Sequence, residues 1–189
     1  MSSDYTTLPD ELPEPVDDGA ADRLPGSAIP ALTLPATDGS RVALDEPRPG
    51  RTVLYVYPMT GVPGVPLPEG WNEIPGARGC TPESCGFRDH HAELAQAGAP
   101  NVFGLSTQST AYQAELAQRL ALPFPVLSDE SLQLADLLAL PTFETAGMRL
   151  YRRLTMIIAD AAIEHVFYPV FPPDGHAAEV LAWLQANPR

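Results

Sequence analysis

Six consecutive β-prone residues lie in the first third of the chain, Thr52-Val53-Leu54-Tyr55-Val56-Tyr57, and Pro58 follows them. A strand with one face in water would alternate apolar and polar side chains, so this nearly continuous apolar run predicts a strand that is buried on both faces. Proline has no amide hydrogen for a sheet ladder, so Pro58 ends the strand. We therefore predict a central strand with material packed on both sides.

Strands and helices alternate outward from this run. The pattern predicts short extended pieces at 28–34 and 41–44, helices at 81–97 and 110–120, strands at 101–105 and 124–127, a helix capped by 128–130 that runs to 138, a hairpin of strands 154–158 and 162–167, and a final helix at 175–186. This order predicts an α/β fold in which helices flank a central mixed sheet.

Two segments fall outside this regular pattern. Residues 1–25 are acidic and rich in proline and glycine, with almost nothing to bury, which predicts a flexible segment ahead of one domain at 26–189. Residues 61–79 are an irregular loop rich in proline and glycine. Its apolar side chains predict a compact wall with Trp71 packed, which would bring Thr60 at its start close to Cys80 just after its end.

Composition excludes several classes of function. The formal net charge is −13, and all eleven basic residues are arginine, so lysine-dependent Schiff-base chemistry and a P-loop are excluded. An acidic chain is repelled by phosphate backbones and anionic membranes, so we expect neither a nucleic-acid nor a membrane partner. Neither a membrane-length apolar run nor a secretory signal is recognisable, and the expected location is the cytoplasm.

Cys80 and Cys85 are the two cysteines of the chain, and they lie five residues apart. Cytosolic thiols are kept reduced, so the pair indicates redox or metal chemistry rather than a structural disulfide, with two buried bystander thiols as the alternative. Cys80 lies where a loop enters a helix, and such a site can lower the pKa of a cysteine and favour its nucleophilic thiolate.

The spacing within that helix restricts what the two cysteines can do. Their Cα atoms would be roughly 8.6 Å apart in an intact helix, whereas a disulfide needs about 4.4–6.8 Å. A disulfide between them therefore requires the first turns to unwind, as in a transient catalytic bond. His90 and His91 follow, but no three of these four side chains can surround one zinc ion while the helix holds, so no metal or other cofactor is expected.

The segment around these cysteines resembles the active-site segment of the peroxiredoxin Q group, also called bacterioferritin comigratory proteins, and reads Gly79-Cys80-Thr81-Pro82-Glu83-Ser84-Cys85-Gly86-Phe87-Arg88-Asp89. The resemblance extends through 53–58 upstream and through 104–107, 127–130, 153–155 and 164–167 downstream, and covers roughly residues 25 to 186. It implies a thioredoxin-like fold, peroxide as substrate, and reduction by thioredoxin or a similar dithiol protein.

Carried over by position, the resemblance makes Cys80 the peroxidatic cysteine and Cys85 the resolving one. It makes Arg153 the arginine that reaches the thiolate from a neighbouring strand, although Arg152 stands beside it, and Glu83 the group that orients this arginine. A permanent cation with fixed donors suits both a thiolate and the peroxide oxygens.

One position departs from the family pattern Pro-x-x-x-Thr-x-x-Cys. Ala77 stands three residues before Cys80, where the family has threonine. Thr60 follows Pro58 closely but is separated from Cys80 by the loop at 61–79. The expectation is that Thr60 folds back beside Cys80, or that another group supplies the hydroxyl.

The sequence thus predicts a thiol-dependent peroxidase of the atypical two-cysteine type, acting on hydrogen peroxide and organic hydroperoxides as a monomer or weak dimer. The alternative is a peroxide sensor that passes its disulfide to a partner with little turnover. A thioredoxin-like oxidoreductase is less favoured, because a Cys-x-x-Cys motif is absent.

Overall fold

The computed structural model describes residues 5–189. In that range the chain forms, in order, β1 (Thr33–Pro35), β2 (Arg41–Ala43), β3 (Thr52–Val56), a short 3₁₀ turn (Trp71–Glu73), α1 (Cys80–Asp89), α2 (His91–Gln96), β4 (Asn101–Ser106), α3 (Thr110–Arg119), β5 (Val126–Ser128), α4 (Gln133–Leu138), β6 (Thr142–Thr145), β7 (Met148–Tyr151), β8 (Leu154–Ala159), β9 (Ala162–Phe167) and α5 (His176–Ala186).

The predicted central strand, β3, is the middle strand of a five-stranded sheet with the order β5-β4-β3-β8-β9. It pairs in parallel with β4 and antiparallel with β8. β4 pairs in parallel with β5, and β8 pairs antiparallel with β9. The sheet is therefore mixed, and the predicted α/β, thioredoxin-like arrangement is confirmed.

Both faces of β3 are buried, as its apolar run predicts. Leu54 and Val56 point into the layer that contains β1, β2 and α4. Val53 and Tyr55 point into the layer formed by α1, α2, α3 and α5, where Tyr55 stacks on Phe87 of α1 with ring centroids 4.4 Å apart. This second layer holds α1 against the sheet and fixes where α1 begins.

The structure differs from the predicted elements in two places. The helix expected over 81–97 is interrupted at His90, whose backbone leaves the helical conformation, and it restarts as α2. The hairpin of β6 and β7 was not predicted. Its two strands pair only with each other and turn through Ala146 and Gly147, both at positive φ. Alanine is not a usual residue for such a turn, so no turn was predicted there.

The acidic N-terminal segment packs along the domain over residues 5–25. Tyr5, Ala21 and Leu24 are buried, so the expectation that this segment has almost nothing to bury is wrong for these three side chains. The hydroxyl of Tyr5 donates to the carbonyl of Val65 at 2.6 Å, which ties the segment to the loop at 61–79. Residues 1–4 of the predicted acidic segment lie outside the described residues.

The loop at 61–79 is packed, and the prediction for Trp71 is confirmed. Its side chain is 3% exposed and lies in a small apolar cluster with Ala77 and Leu150. Phe143 of β6 contacts it, with ring centroids 6.2 Å apart. The β6–β7 hairpin, which was not predicted, therefore packs against this loop through the contact between Phe143 and Trp71.

No helix among residues 5–189 has the length and apolar content of a membrane span.

The buried carboxylate of Asp129 gives a test of the fold. It accepts the backbone N–H groups of Gln133 and Leu134 at 2.8 and 2.9 Å and the Tyr151 hydroxyl at 2.5 Å. Asp129→Ala leaves these three donors without their acceptor, so we expect it to lower the free energy of unfolding by about 2–4 kcal/mol. Urea unfolding followed by circular dichroism measures this change.

The matched control is Asp136→Ala, which removes an exposed carboxylate paired with Arg149. A surface pair of this kind contributes about 0–1 kcal/mol to the free energy of unfolding. The control should therefore unfold at nearly the same urea concentration as the unsubstituted protein. Equal losses in the two variants would contradict the assigned role of Asp129.

Candidate active site

Cys80 is the first residue of α1, as predicted, and its side chain is almost fully buried, at 2% exposure. Gly79 precedes it with φ of 104°, a conformation that only glycine adopts readily. A side chain at Gly79 would also collide with Pro173 and Leu8. Backbone conformation and close packing together therefore fix the point where the chain turns into α1.

Three groups contact the sulfur of Cys80. The Nη2 of Arg153 lies 3.1 Å from Sγ. The thiol faces the carbonyl of Ala77 at 3.5 Å, and the backbone N–H of Met59, just after β3, is directed at the sulfur. The N–H of Met59 was not predicted from the sequence, because a backbone donor leaves no signal in residue type.

Arg153 lies between β7 and β8, and both terminal nitrogens of its guanidinium make hydrogen bonds. Its Nη1 pairs with the carboxylate of Glu83, and both side chains are buried. Its Nη2 also faces three consecutive loop carbonyls, those of Gly76, Ala77 and Arg78, at 3.1–3.4 Å. The structure thus brings Cys80, Glu83 and Arg153 together as predicted.

The neighbouring Arg152 does not share this position. Its guanidinium lies over the ring of Phe143, 5.8 Å from the ring centroid. Of the two adjacent arginines, Arg153 alone contacts the Cys80 sulfur.

The pKa of Cys80 moves in the direction opposite to the one expected from the helix N-terminus. Burial raises the pKa of the thiol above its ordinary value, and the negative charge of Glu83 raises it further. The guanidinium of Arg153 and the N–H of Met59 act against this rise. Desolvation is the larger effect because the site is closed to water.

Thr60 lies at the same small cavity as Cys80. This cavity has a volume of about 10 Å³, near the least that one water molecule needs. The Thr60 hydroxyl donates to Oε1 of Gln108 at 3.1 Å, and Oε1 also accepts the Thr60 backbone N–H at 3.0 Å. The predicted return of Thr60 to the neighbourhood of Cys80 is therefore present.

Tyr5, Trp71 and Thr81 also line this cavity. Trp71 was expected there, in a wall that the loop forms over the active site, whereas Tyr5 and Thr81 were not predicted as part of it. Tyr5 comes from the N-terminal segment and Trp71 from the loop at 61–79. The guanidinium of Arg78 lies over the ring of Tyr5, 4.8 Å from the ring centroid. These contacts close the cavity from outside, which explains the burial of Cys80.

Cys85 lies one and a half turns along α1 and is half-buried. Both cysteines are thiols in the structure. Arg88 pairs with Asp89 and also takes part in a hydrogen bond with Cys85, and these contacts raise the pKa of Arg88. The guanidinium of Arg88 is therefore directed at Asp89 and Cys85.

The two histidines after α1 make other contacts. His90 pairs with Glu93 at 2.6 Å, and the ring of His91 packs near Phe124. Within residues 5–189, no cluster of three or more potential ligands is close enough to hold a metal ion.

Comparison with known proteins gives consistent results. The model of the Redoxin family matches residues 24–182. Peroxiredoxin Bcp of Escherichia coli K12 is 32% identical, over 86% of this chain and 96% of that protein, and a putative peroxiredoxin bcp of Coxiella burnetii is 30% identical, over 84% and 97%. The structure of peroxidoxin BcpB from Mycobacterium tuberculosis superposes with a TM-score of 0.69 at 28% identity, over 87% of this chain and 98% of that one.

The effect of Arg153 on the thiol gives a second prediction. Arg153→Met removes a positive charge that lowers the pKa of Cys80, so this pKa should rise further. Since the thiolate is the nucleophile, the pH profile of Cys80 alkylation by iodoacetamide should shift to higher pH, with a rate at neutral pH lower by roughly tenfold or more. Alkylation is measured with Cys85→Ser present, so that only Cys80 reacts.

Arg152→Met is the control for this experiment, because that guanidinium lies over Phe143. Its profile should match that of the parent protein. Equal shifts from both variants would show that Arg153 has no special effect on Cys80.

Proposed function

Because the chain belongs to the Redoxin family and is a peroxiredoxin of the Bcp/Q type, we propose that its thiol peroxidase reaction uses Cys80 as the attacking residue and Cys85 as the resolving one. Hydrogen peroxide and organic hydroperoxides are the proposed substrates. The observation that carries the proposal is the 3.1 Å contact between Arg153 and the Cys80 sulfur at the buried start of α1.

In the first step, the Cys80 thiolate attacks the terminal oxygen of a hydroperoxide. An S–O bond forms as the O–O bond breaks, so sulfur is oxidised by two electrons to a sulfenic acid. The second oxygen leaves as hydroxide or alkoxide and takes a proton from solvent to become water or an alcohol. The nucleophile loses its negative charge while the leaving oxygen gains one.

Arg153 suits this shift of charge. A guanidinium stays positive and presents several donors, so Nη2 can face the thiolate and then the oxygen bonded to it. Glu83 and the three loop carbonyls hold the guanidinium in place before the peroxide arrives. Donors fixed in advance need no reorganisation in the transition state, which is the main source of such catalysis.

Thr60 is proposed to contact the peroxide as a hydrogen-bond acceptor. Its own proton is directed at Oε1 of Gln108, so the lone pairs of its oxygen remain available. The O–H of a hydroperoxide can donate to such an oxygen. This contact would orient the attacked oxygen toward Cys80.

In the second step, the Cys85 thiol condenses with the sulfenic acid at Cys80, forming an S–S bond and releasing water. Both residues lie in α1, so helical geometry holds their Cα atoms roughly 8.6 Å apart. The start of α1 must therefore unwind before the bond forms.

Reduction of this disulfide completes the cycle. An external dithiol attacks one of its sulfurs and is itself oxidised to a disulfide, which returns two electrons to the pair. Thioredoxin or a similar dithiol protein is the proposed reductant, the cytoplasm the proposed location, and a monomer or weak dimer the proposed assembly.

Substitution of the two cysteines tests these roles. Cys80→Ser should abolish peroxide consumption, because the alcohol gives no accessible anion near neutral pH. Cys85→Ser should keep one rapid turnover and leave a sulfenic acid at Cys80 that dimedone traps, as measured by stopped-flow kinetics and mass spectrometry. Loss of that first turnover in the Cys85 variant would mean that the two roles are wrongly assigned.

Hydrogen exchange tests the proposed unwinding. Oxidation of the protein with one equivalent of hydrogen peroxide should speed amide exchange over residues 80–88, because the disulfide cannot form in the intact helix. The control segment is α3 (Thr110–Arg119), which contains no cysteine and should exchange at its former rate. Unchanged protection over 80–88 would indicate a disulfide between chains instead.

A further inference from the structure

We propose that the hydroxyl of Thr81 is a second catalytic hydroxyl, which donates a hydrogen bond to the leaving oxygen of the peroxide. This inference rests on the proposed function of Cys80. In this inference Thr81 is a hydrogen-bond donor to the peroxide, whereas the Thr60 oxygen is a hydrogen-bond acceptor.

The position where the resemblance places a threonine cannot supply a hydroxyl here. That residue is Ala77, which is buried and offers only its backbone carbonyl to the site. The carbonyl already accepts from the Cys80 thiol at 3.5 Å and from Arg153 at 3.4 Å. A carbonyl carries no proton, so it cannot stabilise a departing oxygen anion.

Thr60 cannot readily act as the donor either. Its single hydroxyl proton is directed at Oε1 of Gln108, and Nε2 of Gln108 faces the Thr60 carbonyl at 3.4 Å. Tyr112 donates to that same carbonyl at 2.7 Å, which fixes the Thr60 backbone from the other side. Donation by Thr60 would therefore break an existing hydrogen bond.

Thr81 has an unused donor at the same cavity. It follows Cys80 directly in α1, lines the cavity with Cys80 and Thr60, and is 2% exposed. Among residues 5–189, its Oγ1 makes no hydrogen bond. A buried hydroxyl without a hydrogen-bond partner lowers the stability of a protein, so its presence at this site indicates a functional role. A ligand oxygen next to Cys80 would give it the missing partner.

The reaction needs a donor of this kind. Negative charge develops on the leaving oxygen as the O–O bond breaks, while Arg153 faces the sulfur and the attacked oxygen. The Thr81 hydroxyl stabilises this charge by donation and keeps its own proton, and solvent then protonates the hydroxide or alkoxide. A leaving group that is already a stable anion has little need of the donor.

This dependence on the leaving group supplies the test. Rates of Cys80 oxidation are measured in Thr81→Val, Thr81→Ser and Thr60→Val, each with Cys85→Ser, using hydrogen peroxide and peracetic acid. Attack on hydrogen peroxide expels hydroxide, whereas attack on peracetic acid expels acetate, a far weaker base. Iodoacetamide alkylation is measured in parallel, because it needs the thiolate but no donor for a peroxide oxygen.

We expect Thr81→Val to slow the oxidation of Cys80 by hydrogen peroxide about 10²-fold, the usual effect of losing one transition-state hydrogen bond. In the same variant, the oxidation of Cys80 by peracetic acid should slow by less than about tenfold, and the rate of alkylation should be nearly unchanged. Thr81→Ser should keep most of the rate with hydrogen peroxide. Thr60→Val removes the proposed acceptor, so it should slow both peroxides to a similar extent, also by about 10²-fold.

Three results would overturn the inference. The first is an unchanged rate of Cys80 oxidation by hydrogen peroxide in Thr81→Val. The second is an equal loss of rate with both peroxides in that variant. The third is a parallel loss of the alkylation rate, which would indicate a packing role. If any of these occurs while Cys80→Ser still abolishes peroxide consumption, the proposed function stands and only the role of Thr81 fails.

Discussion

The buried ion pair between Arg153 and Glu83 is the constraint on which the site depends. Removing two charges from water is costly, and the cost is offset only when each charge is paired and further hydrogen-bonded. Arg153 is paired with Glu83 and faces the carbonyls of the loop before α1, while its Nε and the Oε1 of Glu83 have no hydrogen-bond partner among residues 5–189. The loop, α1 and the start of β8 are therefore fixed relative to one another, and the Cys80 sulfur lies where these three elements meet.

The same closure that fixes Arg153 also opposes ionisation of the thiol. Burial raises the pKa of Cys80, whereas Arg153 and the Met59 N–H lower it, and the burial effect is larger. The loop at 61–79 and the N-terminal segment both contribute to this burial through Trp71 and Tyr5. Opening of these two segments would admit peroxide and water together, so substrate access and thiolate formation are expected to be coupled.

Much of this arrangement could be predicted from the sequence, because the signals were local. The apolar run from Thr52 to Tyr57 predicted the central strand, and the loop-to-helix junction predicted the place of Cys80. The direction of the Cys80 pKa could not be predicted, since it depends on how completely distant segments cover the site. The packing of Tyr5 against the loop was missed for the same reason, and the β6–β7 hairpin because its Ala-Gly turn is unusual.

In the proposed function, Cys80 is activated toward peroxides in particular and is not a generally reactive thiol. The most direct test is the ratio of two rate constants for Cys80 in the Cys85→Ser protein, one with hydrogen peroxide and one with iodoacetamide, compared with the same ratio for free cysteine. Arg153 favours the thiolate in both reactions, but its donors stabilise charge on oxygen only in the peroxide transition state, so we expect a ratio at least about 10³-fold above that of free cysteine. A ratio equal to that of free cysteine would contradict it.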